Sequence, residues 1–222
     1  MFTNQGKNYN CMNINTRRNE YNFAGLSIRN SDNDPINQFT KWLEDALKSN
    51  EKEPTAMSLS TFGTQGFPES RIVLLKYFDE HGFIFFTNYK SDKAISIEKM
   101  PAVGLHFFWP TLGRQIRISG YASKTSRELS ERYFHSRPVK SRISAIISEQ
   151  SQVISSRKYL KKKFSEYSLK YKYEIPPLPS HWGGYNVNPV KIEFWQGRIN
   201  RLHDRIVYIK KGNIWKRKRL AP

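Results

Sequence analysis

The chain has 222 residues, enough to bury a sizeable core, and its 14% aromatic content argues against disorder. Lys and Arg number 37 against 19 Asp and Glu, a formal net charge of +18 that would attract nucleic acid, anionic lipid or phosphorylated small molecules; a general drift toward Asn, Ile, Lys and Tyr gives the same excess. Cys11 is the only cysteine, which excludes an intrachain disulfide and argues against Cys-x-x-Cys zinc sites, and no apolar run nears the roughly 20 residues of a membrane helix.

With no apolar signal-peptide core at the N-terminus, these features predict a cytoplasmic protein with no membrane partner. Residues 1–16, with five asparagines and no periodicity, read as a disordered arm, and 17–222 as a single domain. Apolar residues at Ile36, Phe39, Leu43 and Leu47, beside Trp42 and Ala46, predict an amphipathic helix over 35–48. Asp34 is its expected N-cap and Pro35 its first residue.

From Thr55 the period changes to two. Residues 56–62 predict a strand, Gly63-Thr64-Gln65-Gly66 a turn, and Pro68 to Phe78 a second strand. Within it, Ile72-Val73-Leu74-Leu75 is expected to be fully buried, with Arg71 and Lys76 at its ends. Those cations are either solvated strand termini or groups reaching a phosphate. Strands are expected at 83–88, 103–109 and 115–124, the last turning Gln115, Arg117, Ser119 and Tyr121 to one face. Ser91 is placed to open a short helix to about Met100, whose free amides would seat a phosphate. Five antiparallel strands by residue 124 predict a barrel or a strongly bent sheet.

Ser126 to His135 reads as a helix ending near Arg137-Pro138. Residues 156–171 read as a basic helix, either a solvated face or a nucleic-acid surface. Pro176-Pro177-Leu178-Pro179 is a stiff linker into the strand that ends at Trp195-Gln196-Gly197. Arg201, His203, Asp204 and Arg205 follow within five positions. An extended backbone there would put Arg201, His203 and Arg205 on one face, suited to an anionic planar ligand; a solvated strand end is the other reading. A last hairpin turns at Lys211-Gly212. Walker, Gly-x-Gly-x-x-Gly and Gly-x-Ser-x-Gly patterns are absent.

Nine motifs, in this order, carry a resemblance. They are R-I-V-L-L-K (71–76), F-F-T-N (85–88), R-Q-I-R (114–117), Y-F-H-S-R-P (133–138), E-Q-S (149–151), P-L-P-S-H-W-G-G-Y (177–185), E-F-W-Q-G (193–197), R-L-H-D-R (201–205) and the terminal R-L-A-P. From about Arg18 to Pro222 the chain resembles the pyridoxine/pyridoxamine 5′-phosphate oxidase family. That resemblance implies an FMN-binding antiparallel split β-barrel with helices (α+β), homodimeric with FMN at the interface. It further implies oxidation of a phosphorylated pyridine to pyridoxal 5′-phosphate, with O2 reduced to hydrogen peroxide.

By the same resemblance, Arg71, Lys93 and Ser151 would hold the FMN phosphate. Ile72, Val73, Leu74, Leu75, Lys76, Phe86, Thr87, Gln115, Gln150, Trp182 and Arg205 would line the rest of the cofactor. Lys76, Tyr133, Arg137 and Ser141 would take the substrate phosphate. Arg201 and His203, with Leu202 between them, would set the substrate ring against the flavin as the catalytic pair. Arg18 and Tyr21 would close over the site from the N-terminal arm. Four positions depart from the family pattern. Asp92 stands where arginine is usual, and Lys90 is expected to replace part of that charge; Arg142 and Ser144 replace glutamine and glycine. A split-barrel flavoprotein with another substrate, or a basic nucleic-acid-binding protein, are the competing readings.

Overall fold

A computed structural model describes residues 20–222. Arg18 and the arm 1–16 lie outside the described residues. Helix α1 spans Pro35–Lys48, and the Asp34 carboxylate accepts the Ile36 N–H at 2.6 Å, as an N-cap should. Its apolar stripe buries Phe39, Trp42, Leu43 and Ala46. Phe39 is wholly enclosed, meeting Phe78, Phe83 and Phe107 edge-on at centroid distances of 4.9, 5.0 and 5.2 Å.

Nine strands form one antiparallel sheet, curled into a half-barrel. They are β1 Ala56–Phe62, β2 Pro68–Leu74, β3 Tyr77–Asp79, β4 Gly82–Asn88, β5 Ala102–Trp109, β6 Arg114–Lys124, β7 Trp182–Gln196, β8 Asp204–Lys211 and β9 Ile214–Leu220. The order is β2-β1-β5-β6-β7-β4-β3, with β8 and β9 leaving from β7. Strand β7 makes this branching possible. Its first half pairs with β4 and its second half with β8, while β6 runs along its other edge throughout. The β6–β7 register shifts between Ser119 and Gly120, which bends the pair. Along β6 the expected alternation holds: Ile116 and Ile118 are buried, Arg117, Ser119 and Tyr121 exposed.

Four further helices are α2 Asp92–Lys99, α3 Arg127–Ser136, α4 Val139–Ile147 and α5 Arg157–Lys170. The basic α5 buries none of its residues, so its lysines form a solvated face. A second small core of Phe134, Ala145 and Trp182 joins α3 and α4 to the start of β7.

Three expectations are corrected. Residues 68–78 do not form one strand, because β2 stops at Leu74 and β3 begins at Tyr77. Nor is 72–75 fully buried: Leu75 is, but Ile72 is 67% exposed and Leu74 37%. The reason is position, since β2 is an edge strand with a single neighbour. Likewise 201–205 is not extended throughout. Asn200 and Arg201 have φ of 55° and 59°, a left-handed kink, and β8 begins only at Asp204.

Candidate active site

The end of β2, the segment leading into β3, the C-terminal half of β4, α2, α3, α4 and the start of β7 enclose a cleft of about 380 Å³. Eleven residues expected at the site line it: Ile72, Val73, Leu74, Lys76, Phe86, Thr87, Lys93, Tyr133, Arg137, Gln150 and Trp182. One wall is aromatic. Phe86 stacks on Tyr133 at 4.1 Å and on Trp182 at 5.5 Å, with interplanar angles of 22° and 11°. Strand β2 adds the exposed aliphatic chains of Ile72 and Leu74 to the lining. A flat ligand there would exchange water for apolar contact.

Among the described residues, none of the cleft cations Lys76, Lys93 and Arg137 is ion-paired to a carboxylate, the nearest influence on Lys93 being the exposed Asp92. Lys93 is buried, and its ammonium donates to Ser91 Oγ at 3.2 Å and Gln150 Oε1 at 3.1 Å. Burial first, then the nearby Arg71 charge, hold its pKa below the ordinary lysine value. Gln150 is fixed in turn by the Thr87 hydroxyl at 3.2 Å. Arg137 lies over the Trp182 ring at 4.8 Å, and its Nη1 is buried with no hydrogen-bond partner. Desolvation also raises the Tyr133 pKa, so its phenol stays a proton donor. Buried positive charge and an orphaned guanidinium N–H are what an anion would complete.

Some expected residues sit beside the cleft rather than on it. Arg71 pairs with Glu69 at 2.9 Å and donates to Thr61 Oγ1 at 2.7 Å. Ser151, with φ of 71°, accepts the Asp92 N–H on its Oγ at 3.2 Å, tying the Gln150 loop to the start of α2. Asp92 itself is exposed, and Lys90 lines an adjoining hollow with His181 and Tyr167. Ser141 is half-buried in the first turn of α4, and Leu75 belongs to the main core.

The remaining expected residues gather elsewhere, around the C-terminal half of β7. Gln115, Trp195 and Arg205 are directly opposite one another on β6, β7 and β8, so their side chains share a face. The buried Glu193 carboxylate accepts the Arg205 Nε–H at 2.9 Å and lies 3.8 Å from Arg117. The His203 ring lies 4.6 Å from Trp195 and 5.8 Å from Tyr21. Its Nδ1 accepts the backbone N–H of Arg198 at 3.1 Å, so in the neutral ring Nε2 carries the proton and is the donor. Arg201 is exposed, as is Leu202 at 68%. None of these lines the cleft described above.

Comparison with known proteins fits this division. The family model described as Pyridoxamine 5′-phosphate oxidase matches residues 43–171, and the one described as Pyridoxine 5′-phosphate oxidase C-terminal dimerisation region matches 182–222. The chain belongs to the pyridoxamine 5′-phosphate oxidase family. It is 47% identical over 205 residues to the pyridoxine/pyridoxamine 5′-phosphate oxidase of Legionella pneumophila, covering 92% of this chain and 95% of that one. It is 50% identical over 212 residues to that of Rippkaea orientalis, covering 95% and 100%. Among solved structures, PhzG from Burkholderia lata, in complex with tetrahydrophenazine-1-carboxylic acid, superposes with a TM-score of 0.84 at 28% identity, covering 90% and 99%. The first cluster draws on the first matched region and on Trp182. The second lies almost wholly in the dimerisation region, with Tyr21 and Gln115 added.

Sequence reasoning missed several residues. Asn88 lines the cleft and donates to the Ser148 carbonyl at 2.9 Å, and Ser144, Ala145 and Ser148 of α4 and its end complete the lining. Trp195 was visible in the motif only as a strand residue. Pairing with Gln115 and Arg205 is what gives it a place, and pairing is not written in a single strand. Asp204 had the signal of a charge between two site residues, yet its partners are 178 and 15 positions away.

Proposed function

We infer that this chain oxidises pyridoxine 5′-phosphate or pyridoxamine 5′-phosphate to pyridoxal 5′-phosphate with FMN as cofactor. The observation that carries the reading is the cleft itself: buried cations without carboxylate partners beside a wall of stacked rings, in a chain 47–50% identical to pyridoxine/pyridoxamine 5′-phosphate oxidases. The residues present fit FMN. Lys93, with Arg71 and Ser151 beside it, would hold the cofactor phosphate, and Ile72 to Lys76, Phe86, Thr87, Gln150 and Trp182 would take the remainder. Bound FMN supplies the redox chemistry, as electron acceptor for the exocyclic carbon of the substrate.

The protein's own part is placement and charge. Lys76, Arg137 and Tyr133, with Ser141 nearby, would bind the substrate phosphate: two cations and two hydroxyls for a dianion. His203, donating from Nε2, and Arg201 would hold the pyridine in its reacting geometry, worth several powers of ten in effective concentration when alignment is good. Because His203, Arg201, Arg205 and Gln115 stand apart from the cleft, each site is composed in a homodimer, one copy's second cluster facing its partner's cleft, with FMN at the interface. Dioxygen is the final electron acceptor, giving hydrogen peroxide. Residues 17–222 act as one domain, with Arg18 joining Tyr21 over the site. A lone cysteine is consistent with a reducing cytoplasmic setting. No described helix is long and apolar enough to cross a membrane.

A second reading takes its support from the likeness to PhzG: the same scaffold acting on a larger ring system. The test separates them. Purified protein should be yellow, with the two visible absorption bands of a bound flavin, and should consume oxygen with pyridoxamine 5′-phosphate. A colourless protein that takes up no FMN would overturn the reading; a yellow one inert to both phosphorylated pyridines would favour the second.

A further inference from the structure

The segment before α1 is held in place more firmly than its lack of regular structure suggests. Its first aromatics rest on backbone. Gly197, which donates its N–H to the Gly113 carbonyl at 2.8 Å, would place a Cβ 2.5 Å from Tyr21. Gly113 would likewise meet Phe23, and with φ of +57° it adopts a conformation that suits glycine. Two glycines therefore form a floor under Tyr21 and Phe23, and Tyr21 meets Trp195 edge-on at 5.7 Å and His203 at 5.8 Å.

Further along, Asp204 and Arg219 grip both polar groups of one residue. Asp204 Oδ2 accepts the Leu26 N–H at 3.1 Å, and Arg219 Nη2 donates to the Leu26 carbonyl at 3.0 Å. The two side chains are joined by an Arg219–Asp204 ion pair of 2.5 Å. Arg198 completes the knot, donating to the Phe23 carbonyl and standing 3.6 Å from Asp204. Its own backbone N–H is the one that sets the His203 tautomer.

We propose that Asp204 is a positioning residue: it fixes the register of the strap 21–26 on the C-terminal hairpin, and so holds Tyr21 against His203 and Trp195. Asp204 itself touches neither ring in the proposed site. Its carboxylate neutralises two guanidiniums that would otherwise repel, and it replaces the strand partner that Leu26 lacks. The assignment to catalysis rests on the oxidase reading above; the assignment to the strap does not.

The experiment is Asp204→Asn in the FMN-loaded protein, read by amide hydrogen exchange and by steady-state kinetics with pyridoxamine 5′-phosphate. Losing a charge-assisted bond should speed exchange across 21–28 by about tenfold while β4 and β5 are unchanged. It should raise KM more than it lowers kcat, with FMN content unaltered. Gly197→Ala is an independent variant that pushes on Tyr21 from below without touching Asp204, and it should give the same KM-dominated change. Unchanged exchange over 21–28 in Asp204→Asn overturns the proposal. So does faster exchange there with an unmoved KM. If the wild-type protein oxidises neither phosphorylated pyridine, the oxidase reading fails while the exchange result still decides whether Asp204 seats the strap.

Discussion

The two clusters on this chain are built in opposite ways. The cleft between β2, β4 and α4 is packed: Phe86, Tyr133 and Trp182 are stacked, Lys93 is buried, and Gln150 is pinned between Thr87 and Lys93. The cluster after β7 is open, with Arg201 exposed on a left-handed kink, Leu202 exposed beside it and His203 only half-covered. A group desolvated within one chain is preorganised before any ligand arrives, whereas an exposed one gains its setting from whatever surface meets it. The closed cluster suits holding phosphate and the open one suits completing a neighbour's site.

Three experiments would break or sharpen that contrast. The largest effect is expected in the closed cluster. Arg137→Ala removes a charged donor that nothing else in the cleft can replace, and should lower kcat/KM by roughly 100-fold, mainly through KM. Arg137→Lys should recover only part, because a point charge lacks the guanidinium fork. A loss under threefold would place the substrate phosphate elsewhere.

The second experiment tests whether the clusters join across subunits. Arg137→Ala and His203→Ala, each inactive or nearly so alone, are co-expressed with different tags. If each site takes one cluster from each copy, random pairing leaves one intact site in half of the dimers, and activity returns to about a quarter of wild type. If both clusters serve a site within one chain, no activity returns.

The smallest effect is a pH dependence. Lys93 deprotonates below the ordinary lysine value because burial disfavours its charge. Above its pKa the ammonium is neutral and attraction for the FMN phosphate is lost, so FMN affinity should weaken as pH rises, and at lower pH than an ordinary lysine would cause. Lys93→Arg keeps its charge over that range and should flatten the curve. Fluorescence titration of apoprotein across alkaline pH makes the comparison; identical slopes would remove Lys93 from the phosphate.

Much of this fold was legible because local signals and tertiary structure agree. Asp34-Pro35 and the Phe39, Leu43 stripe specify α1, and the alternation along 115–124 specifies which side of β6 is wet. What the sequence hid is set by partners. Ile72-Val73-Leu74-Leu75 has the composition of a central strand, yet two of its residues are exposed because β2 lies at an edge, which no run of four residues encodes. Arg201 to Arg205 has the spacing of a strand face, but Asn200 and Arg201 turn left-handed while the Arg198 amide captures His203. Motif order named eleven residues that the fold does bring to one cleft. It could not say that the others gather in a second place.

Strand β7 gives that division a scale. Trp182 at its first residue helps wall the cleft, and Trp195, thirteen residues on, stands in the other cluster. At about 3.3 Å per residue those indoles are some 40 Å apart along the backbone. In the dimer proposed above, one continuous ribbon would serve as a girder between two reaction chambers. A lesion at its midpoint, near Val187 or Ile192, would be felt in both chambers at once.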